Sequence, residues 1–204
     1  MSDPSLSGQA LSTWDNIAQW WDAGITLNGN NYWQVLQEPC LTRLLSSQVS
    51  KPTSRALDLA TGNGLCARWL ASRGAQAVLA TDGNWEALIR DEEEQGPGGK
   101  FDAVLINMAI MDIAEIGTFA ASVPKLLRKD GVFVTTVLRP VFITSNAAKS
   151  ITIDYDPVMG EKRVVLGKLV TQYLDVKPAK GVAVVGQPEK QVGAVLPSTS
   201  GGKH

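Results

Sequence analysis

Ala56-Leu57-Asp58-Leu59-Ala60-Thr61-Gly62-Asn63-Gly64 decides how this 204-residue chain is read. Entered from Arg55, its first half is apolar except for Asp58 and is bounded by turn formers, which predicts a short buried strand. Its second half is a glycine-bearing turn, and Leu65-Cys66-Ala67-Arg68-Trp69-Leu70-Ala71 beyond it reads as a helix. Strand, glycine turn and helix in that order open nucleotide-binding α/β units. Glycine at 62 and 64 permits positive φ and lets a ligand approach the backbone. The start of the following helix aims free N–H groups at whatever sits there. Asp58, near the strand end, is placed to reach a polar ligand group. The same local pattern also fits a plain strand–helix turn with a solvated acid, because a fold does not dictate a function.

Composition narrows the classes. The chain is long enough for one domain with a proper core, and 44% hydrophobic residues is ordinary for a globular protein. With 19 basic and 20 acidic residues the net charge is -1, so no basic surface points to nucleic acid. Cys40 and Cys66 are too few for a disulfide framework and lack metal-type partners nearby, and His204 is the only histidine. Histidine catalysis and a His/Cys zinc site are therefore not expected, and no metal is. The N-terminus has no apolar signal segment and no run approaches membrane-spanning length, so a cytoplasmic setting without membrane attachment is expected.

Outward from the glycine turn, Gln76 to Asp82 reads as a second strand ending in an acid, with Gly83 beside it. Asp82 lies 20 residues beyond Gly62, the offset at which an acid can hold a ribose diol in such a fold. Asn84 caps a helix through Trp85, Leu88 and Ile89, which ends at Glu92-Glu93-Glu94 and the Gly96–Gly99 turn. Phe101 to Asn107 is a buried strand, a helix follows around Phe119 to Leu127, and Gly131 to Leu138 is another strand. Upstream, Met1 to Gly8 is expected to fray. Helical spacing starts after the cap candidates Ser12 and Thr13, with Trp14, Ile17, Ala18 and Trp21 on one face and Trp20 beside them. Gly24 and Asn28-Gly29-Asn30-Asn31 break that helix, and a second runs through Tyr32, Val35 and Leu36, then Leu41, Leu44 and Leu45. Four of the six tryptophans precede Trp69, which suits either core packing or a lid over the turn. Ile151 to Tyr155 and Arg163 to Leu166, joined through Asp156-Pro157-Val158-Met159-Gly160, read as a hairpin.

Taken in order, Leu57 to Gly64, Asp82, Phe101 to Ala109 and Leu126-Leu127-Arg128-Lys129-Asp130-Gly131 resemble the motifs of class I S-adenosylmethionine-dependent methyltransferases. Trp14-Asp15-Asn16-Ile17-Ala18, followed by Trp20-Trp21-Asp22, is similar to the lid segment of the small-molecule branch. The resemblance covers about residues 12–145 and, more loosely, extends to about 191. It implies a Rossmann-like, doubly wound α/β fold with a mainly parallel sheet, and S-adenosyl-L-methionine as cofactor. By that resemblance the backbone of Ala60, Thr61, Gly62, Asn63 and Gly64 cradles the methionine part, beside Asp58. Asp82, with Gly83, binds the ribose hydroxyls, Asn107, Met108 and Ala109 line the pocket by the methyl group, and Trp20 and Trp21 shield it. Residues 1–191 form one domain on this reading, with a helical lid over about 12–48 and a hairpin insertion over about 150–177. Residues 192–204 are a Gly/Ser/Pro-flavoured tail expected to be disordered.

Two departures bear on activity. Ala60 stands where the family has its first motif glycine, a mild change if its φ is negative. Residues 83–100 hold one helix and a turn where the family has helix, strand and helix, so the sheet is reduced and one cofactor-binding acid is missing. The terminal strands of the family sheet also lack counterparts, the shape of a truncated or mis-spliced product. A short sheet leaves apolar edges exposed, which favours aggregation, an oligomer or a covering partner. Three readings follow. One is methyl transfer to a small molecule, which needs positioning and water exclusion but no metal or histidine. A hydroxyl acceptor would need a base, for which Asp112 is the candidate. The second is a non-catalytic scaffold that keeps or has lost cofactor binding. The third is a nicotinamide oxidoreductase, from Gly62-x-Gly64-x-x-Ala67 and Tyr173-x-x-x-Lys177, although Pro178 after that lysine argues against a helical pair.

The expected strand order follows from spacing. The Asp82 strand lies on one side of the Asp58 strand and the Phe101 strand on the other, about 9–10 Å apart. Residues 83–100 can cross with one helix. The predicted order is Asp82 strand, Asp58 strand, Phe101 strand, Gly131 strand.

Overall fold

The computed structural model describes residues 4–83, 100–113, 116–137, 147–170, 179–182 and 186–193. Its centre is a four-stranded, all-parallel sheet of β1 (Arg55–Leu59), β2 (Ala77–Thr81), β3 (Phe101–Asn107) and β4 (Leu127–Thr136). The strand order is β2-β1-β3-β4, as the spacing argument requires. Among the described residues β2 has no neighbour on its outer side. The helix expected over 84–95 lies outside the described residues, as do Tyr173 and Lys177.

Period-two alternation divides β1 and β3 between two cores. Ala56, Ala103, Leu105 and Val134 face α2 (Glu38–Val49) and α3 (Leu65–Ser72), meeting Leu41, Leu45, Val49, Cys66, Trp69 and Leu70. Leu57, Leu59, Val104 and Ile106 face the other way onto Phe119, Val123 and Leu126 of α4 (Ile116–Leu126). Both faces of the central strands are buried, which is why their sequences are nearly continuous apolar runs. At the foot of the sheet Asp102 accepts the Arg55 N–H at 2.8 Å and Arg128 Nη1 at 2.7 Å, so its carboxylate is satisfied where it is buried.

The N-terminal stretch differs from expectation in two ways. Helix α1 spans Pro4–Ile25, so it begins well before Ser12. Thr13 caps nothing; its hydroxyl donates to the Gln9 carbonyl one turn back, a bond that only a helix already running through Gln9 can offer. A π-helical turn at Trp33–Gln37 then leads into α2, whose Leu41, Leu45 and Val49 are wholly buried. Within the stretch expected as a lid, residues 38–49 are therefore core, and only α1 with its following loop is free for that role.

The expected hairpin is present and longer than its apolar stretches suggested: β5 (Ala147–Tyr155) pairs antiparallel with β6 (Lys162–Val170). Two short strands, β7 (Ala179–Gly181) and β8 (Gln191–Gly193), form a third small sheet, and β8 packs on α1.

Candidate functional site

With β2 on one side of β1 and β3 on the other, the connection after β1 runs toward β2 and the connection after β3 runs the opposite way toward β4, which opens a crevice outside the carboxyl ends of β1 and β3. The glycine turn occupies that crevice. Three of its five residues are left-handed: Ala60 at φ 54°, Gly62 at 52° and Gly64 at 77°. The negative φ under which alanine at 60 would be a mild change is not found. A side chain in that region costs roughly 1–2 kcal/mol, so Ala60 carries strain that a glycine would not. The turn is held by its own bonds: Thr61 N–H to the Thr81 carbonyl at 3.1 Å, Gly64 N–H to the Thr61 carbonyl at 2.9 Å, and Leu65 N–H to Asn63 Oδ1 at 3.1 Å.

Asp58 lies beneath this turn and not on its open side. It shares strand parity with Ala56, which faces α3, and is 1% exposed. Its Oδ2 accepts the Thr61 hydroxyl at 2.6 Å, and it also accepts the Ala67 N–H of the first turn of α3. Burial lifts its pKa to about 6 against the pull of those two donors, and the Asp82 charge adds to the rise. The free N–H groups expected at the helix start are thus partly taken, Leu65 by Asn63 and Ala67 by Asp58.

Asp82 is different. It is exposed, and its Oδ2 accepts the Gly62 N–H at 2.8 Å across 20 residues of sequence. Gly83 beside it is also exposed and left-handed at φ 72°. Among the described residues a Cβ added to Gly62 would meet no atom within 4 Å, so they leave open space directly over the turn.

At the end of β3, Asn107 is drawn inward. Its Oδ1 accepts the Thr136 hydroxyl at 2.5 Å, its Nδ2 donates to Gln37 Oε1 at 3.2 Å, and its side chain also bonds Cys66. Burial, reinforced by the Asp58 charge, pushes the Cys66 thiol far up, so it stays protonated. Met108 follows at φ 58° with its N–H on the Thr136 carbonyl and hydroxyl at 3.1 and 3.0 Å. That bend carries Ala109 into the 3-10 turn Ile110–Asp112. Asp112 is half-buried there, and burial raises its pKa to about 7 although the Trp14 indole N–H donates to it.

Helix α1 and the loop after it reach residues that follow three strands. Leu11 Cδ2 lies 3.6 Å from where a Gly83 Cβ would sit, Trp14 meets Asp112, and the loop after the helix is tied to the glycine turn. Arg68 Nη2 donates to the Leu27 carbonyl at 3.1 Å and Nη1 to the Asn63 carbonyl at 2.6 Å, while Asn63 Nδ2 reaches the Thr26 carbonyl at 3.4 Å. An open depression lined by Asp22, Ala23, Thr26, Leu27, Asn28 and Asn63 adjoins these bonds. Trp21 stands between its neighbours, 5.7 Å from Trp14 and 5.6 Å edge-on to Trp20. Its Nε1 is buried without a hydrogen-bond partner among the described residues. The structure thus gathers Ala60 to Gly64, Asp82, Gly83, Asp112 and α1 at one end of the sheet, with Asp58 and Asn107 behind them as braces. Arg68 and the Thr26 carbonyl carried no sequence signal: an arginine on a helix surface is ordinary, and a carbonyl is invisible in a side-chain pattern.

Fold and site define a reduced Rossmann-like α/β chain, its glycine turn joined to a second-strand acid at the switch point of a parallel sheet. No family model matches the chain, and no curated protein does. Its fold is similar to that of several solved methyltransferases. An S-adenosylmethionine-dependent methyltransferase from Mesorhizobium loti shares 22% identity over 70% of this chain and 67% of its own, with a TM-score of 0.46. The sugar N-methyltransferase KedS8 from Streptoalloteichus sp. ATCC 53650 shares 14% over 88% and 92%, with a TM-score of 0.40. The glycopeptide N-methyltransferase MtfA, complexed with S-adenosyl-L-methionine, shares 14% over 76% and 75%, with a TM-score of 0.39. Among the described residues no group of histidine, cysteine or acidic side chains could hold a metal ion, and no helix is long and apolar enough to cross a membrane.

Proposed function

We propose that the chain binds S-adenosyl-L-methionine at the glycine turn and transfers its methyl group to a small molecule. The observation that carries this reading is the exposed Asp82 carboxylate bonded to the Gly62 N–H, beside open space that a Cβ at residue 62 would enter. A carboxylate there can accept the two hydroxyls of a ribose, and the missing Cβ lets the ligand lie against the backbone. The residues present therefore fit a nucleoside cofactor.

When bound, the cofactor supplies a methyl group on an electron-poor sulfonium. The chain supplies position, dryness and a proton acceptor. Asp82 and the turn orient the ligand, and the Met108 bend sets the 3-10 turn beside it. Trp14, Trp20 and Trp21 of α1 exclude water, and an aromatic face near a sulfonium adds about 0.5–2 kcal/mol. Asp112 loses its proton near neutrality, so it can take one from an acceptor hydroxyl or ammonium while holding the Trp14 indole.

A second reading, a scaffold that binds without turnover, is favoured by one observation: two of the N–H groups at the start of α3, those of Leu65 and Ala67, are already used by Asn63 and Asp58. That observation also counts against a nicotinamide dinucleotide, whose pyrophosphate would sit on the same helix start beside a buried acid. Calorimetry with S-adenosylmethionine and its demethylated product tests the proposal. Asp82→Ala should lose roughly 1.5–3 kcal/mol of binding, as expected for a hydrogen bond to a charged group. Unchanged affinity in that variant, or tighter binding of NADH, would overturn it. Binding without methyl transfer to a panel of amines, thiols and phenols would select the scaffold.

A further inference from the structure

The β5–β6 hairpin presents a surface that the site does not use, and its register sorts charge as well as apolarity. Ile151 lies opposite Leu166, Ile153 opposite Val164, and Tyr155 opposite Lys162. Because side chains alternate along a strand, these residues share one face with Lys149, whose register partner is Lys168. The other face carries Thr152 opposite Val165 and Asp154 opposite Arg163. The Asp156 N–H donates to the Glu161 carbonyl at 2.9 Å and carries the ladder one pair further, so by alternation both acids fall on the face of Asp154. The first face is therefore an apolar stripe with a lysine at either end and, among the described residues, no acid. The stripe lies open, with Ile151 65% exposed and Leu166 76%, and Val158 at 88% and Met159 at 72% extend it to the tip of the turn. Asp156 holds that tip, its Oδ1 accepting the Val158 and Met159 N–H groups at 2.8 and 2.7 Å. Among the described residues neither Lys149 nor Lys162 has an ion-pair partner, and beyond isolated contacts β5 and β6 pack only on each other.

A two-stranded hairpin alone is marginal in water, and a contiguous exposed apolar patch marks a surface that something covers. We infer that an anionic lipid surface covers this face, with the stripe and the tip entering the headgroup boundary and the lysines resting on the headgroups. Charge selects that occupant. Lysines at the ends of an apolar stripe can lay their methylene stems along it and keep their ammonium groups among anionic headgroups. Tyr155, opposite Lys162, sets an amphipathic ring at the same border, where one end is apolar and the other wet. Val158 and Met159 give the stripe an apolar leading end. The acids, gathered on the opposite face, would turn to water. A second copy is disfavoured by the same charges, because stripe laid on stripe brings the lysine-bearing ends of two hairpins together. Surface seating needs no spanning helix, so the lack of one among the described residues does not oppose it.

Co-sedimentation of the full chain with vesicles tests this. Phosphatidylcholine vesicles carrying about 30% phosphatidylserine should bind it at least about tenfold more tightly than phosphatidylcholine alone, and raising salt from about 0.1 to 0.5 M should remove most of that difference. Lys149→Gln combined with Lys162→Gln should weaken binding to the anionic vesicles about tenfold. Ile153→Ser combined with Leu166→Ser should weaken it by about the same factor. Thr152→Asn, on the opposite face, should leave it unchanged. These positions are solvent-exposed, and far-UV circular dichroism matching the parent verifies the fold. The lipid and salt arms use the parent chain alone, so they decide even where a variant misfolds. Failure to bind the anionic vesicles overturns the inference, as does equal binding to the neutral ones. Binding that survives the lysine or stripe variants, or is lost in Thr152→Asn, overturns it too. Two further outcomes would reassign the face: self-association without lipid that the stripe variant abolishes, to a second copy, and tighter binding of poly-L-glutamate than of vesicles, to an acidic polypeptide.

Discussion

Gly62→Ala separates a ligand site from a mere turn. Gly62 has φ 52°, and an added Cβ meets no atom of the described residues within 4 Å, so against them the substitution costs backbone energy without a clash. A left-handed alanine is worse than glycine by roughly 1–2 kcal/mol, and the stiffer unfolded chain returns about 0.4–1 kcal/mol of that. The net loss is about 1 kcal/mol, or about 2–4 °C in melting temperature for a chain of this size. Ala60, two residues earlier, already holds a Cβ at φ 54°, so the turn tolerates one. On the proposed function the new methyl would stand where the cofactor would lie against the backbone, and affinity should fall at least tenfold, about 1.4 kcal/mol. Gly160→Ala supplies the control. Gly160 also has positive φ and an open Cβ direction, but it sits in the hairpin turn. It should show the same thermal cost with no change in calorimetric affinity. If Gly62→Ala binds S-adenosylmethionine within twofold of the parent, the turn does not hold the ligand.

Asp58 and Asp112 keep protons in the folded chain that the unfolded chain releases, because their pKa values rise from 3.8 to about 6 and about 7. Folding stability should therefore fall as pH climbs from about 4 to about 7, by about 3 kcal/mol for Asp58 alone. Urea titrations across that range should show the slope flattened in Asp58→Asn, and a stability that rises with pH there would contradict the burial of both acids. Gly29→Ala should cost about 2–5 kcal/mol, since its Cβ would lie 2.2 Å from Trp33 Cδ1 at φ 80°; a loss below 1 kcal/mol in chemical denaturation would show that Trp33 yields freely. Tryptophan emission should shift, and proteolysis of residues 1–35 should slow, when S-adenosylmethionine binds; no change in either with binding intact makes α1 simple core packing.

The sheet was legible because β1 and β3 are buried on both faces and so carry uninterrupted apolar runs. Its order was legible because two strand spacings and one crossover left little choice. Helix α1 was harder to bound, since Thr13 is a residue type that either caps a helix or bonds back within one. Asp58 was readable in type but not in direction: only its parity with Ala56 against α3 shows that it points under the turn. The sign of φ at Ala60 and Met108 has no signature in non-glycine residues. Strand β4 starts earlier than its apolar core suggested because it pairs Leu127 with Phe101 before an irregularity near Gly131, whose missing Cβ would stand 2.8 Å from the Phe101 carbonyl.

The bonds from Arg68 and Asn63 to the carbonyls of Leu27 and Thr26 have an entropic meaning. They fasten the loop after α1 beside the turn on which the proposed ligand would lie. At about 1 kcal/mol for each exposed bond, the form with both broken amounts to a few per cent of the molecules. That wall of the proposed site is therefore in place before any ligand arrives, and a ligand would not bear the entropy of ordering it. The arginine would thus act on an empty site as much as on a filled one.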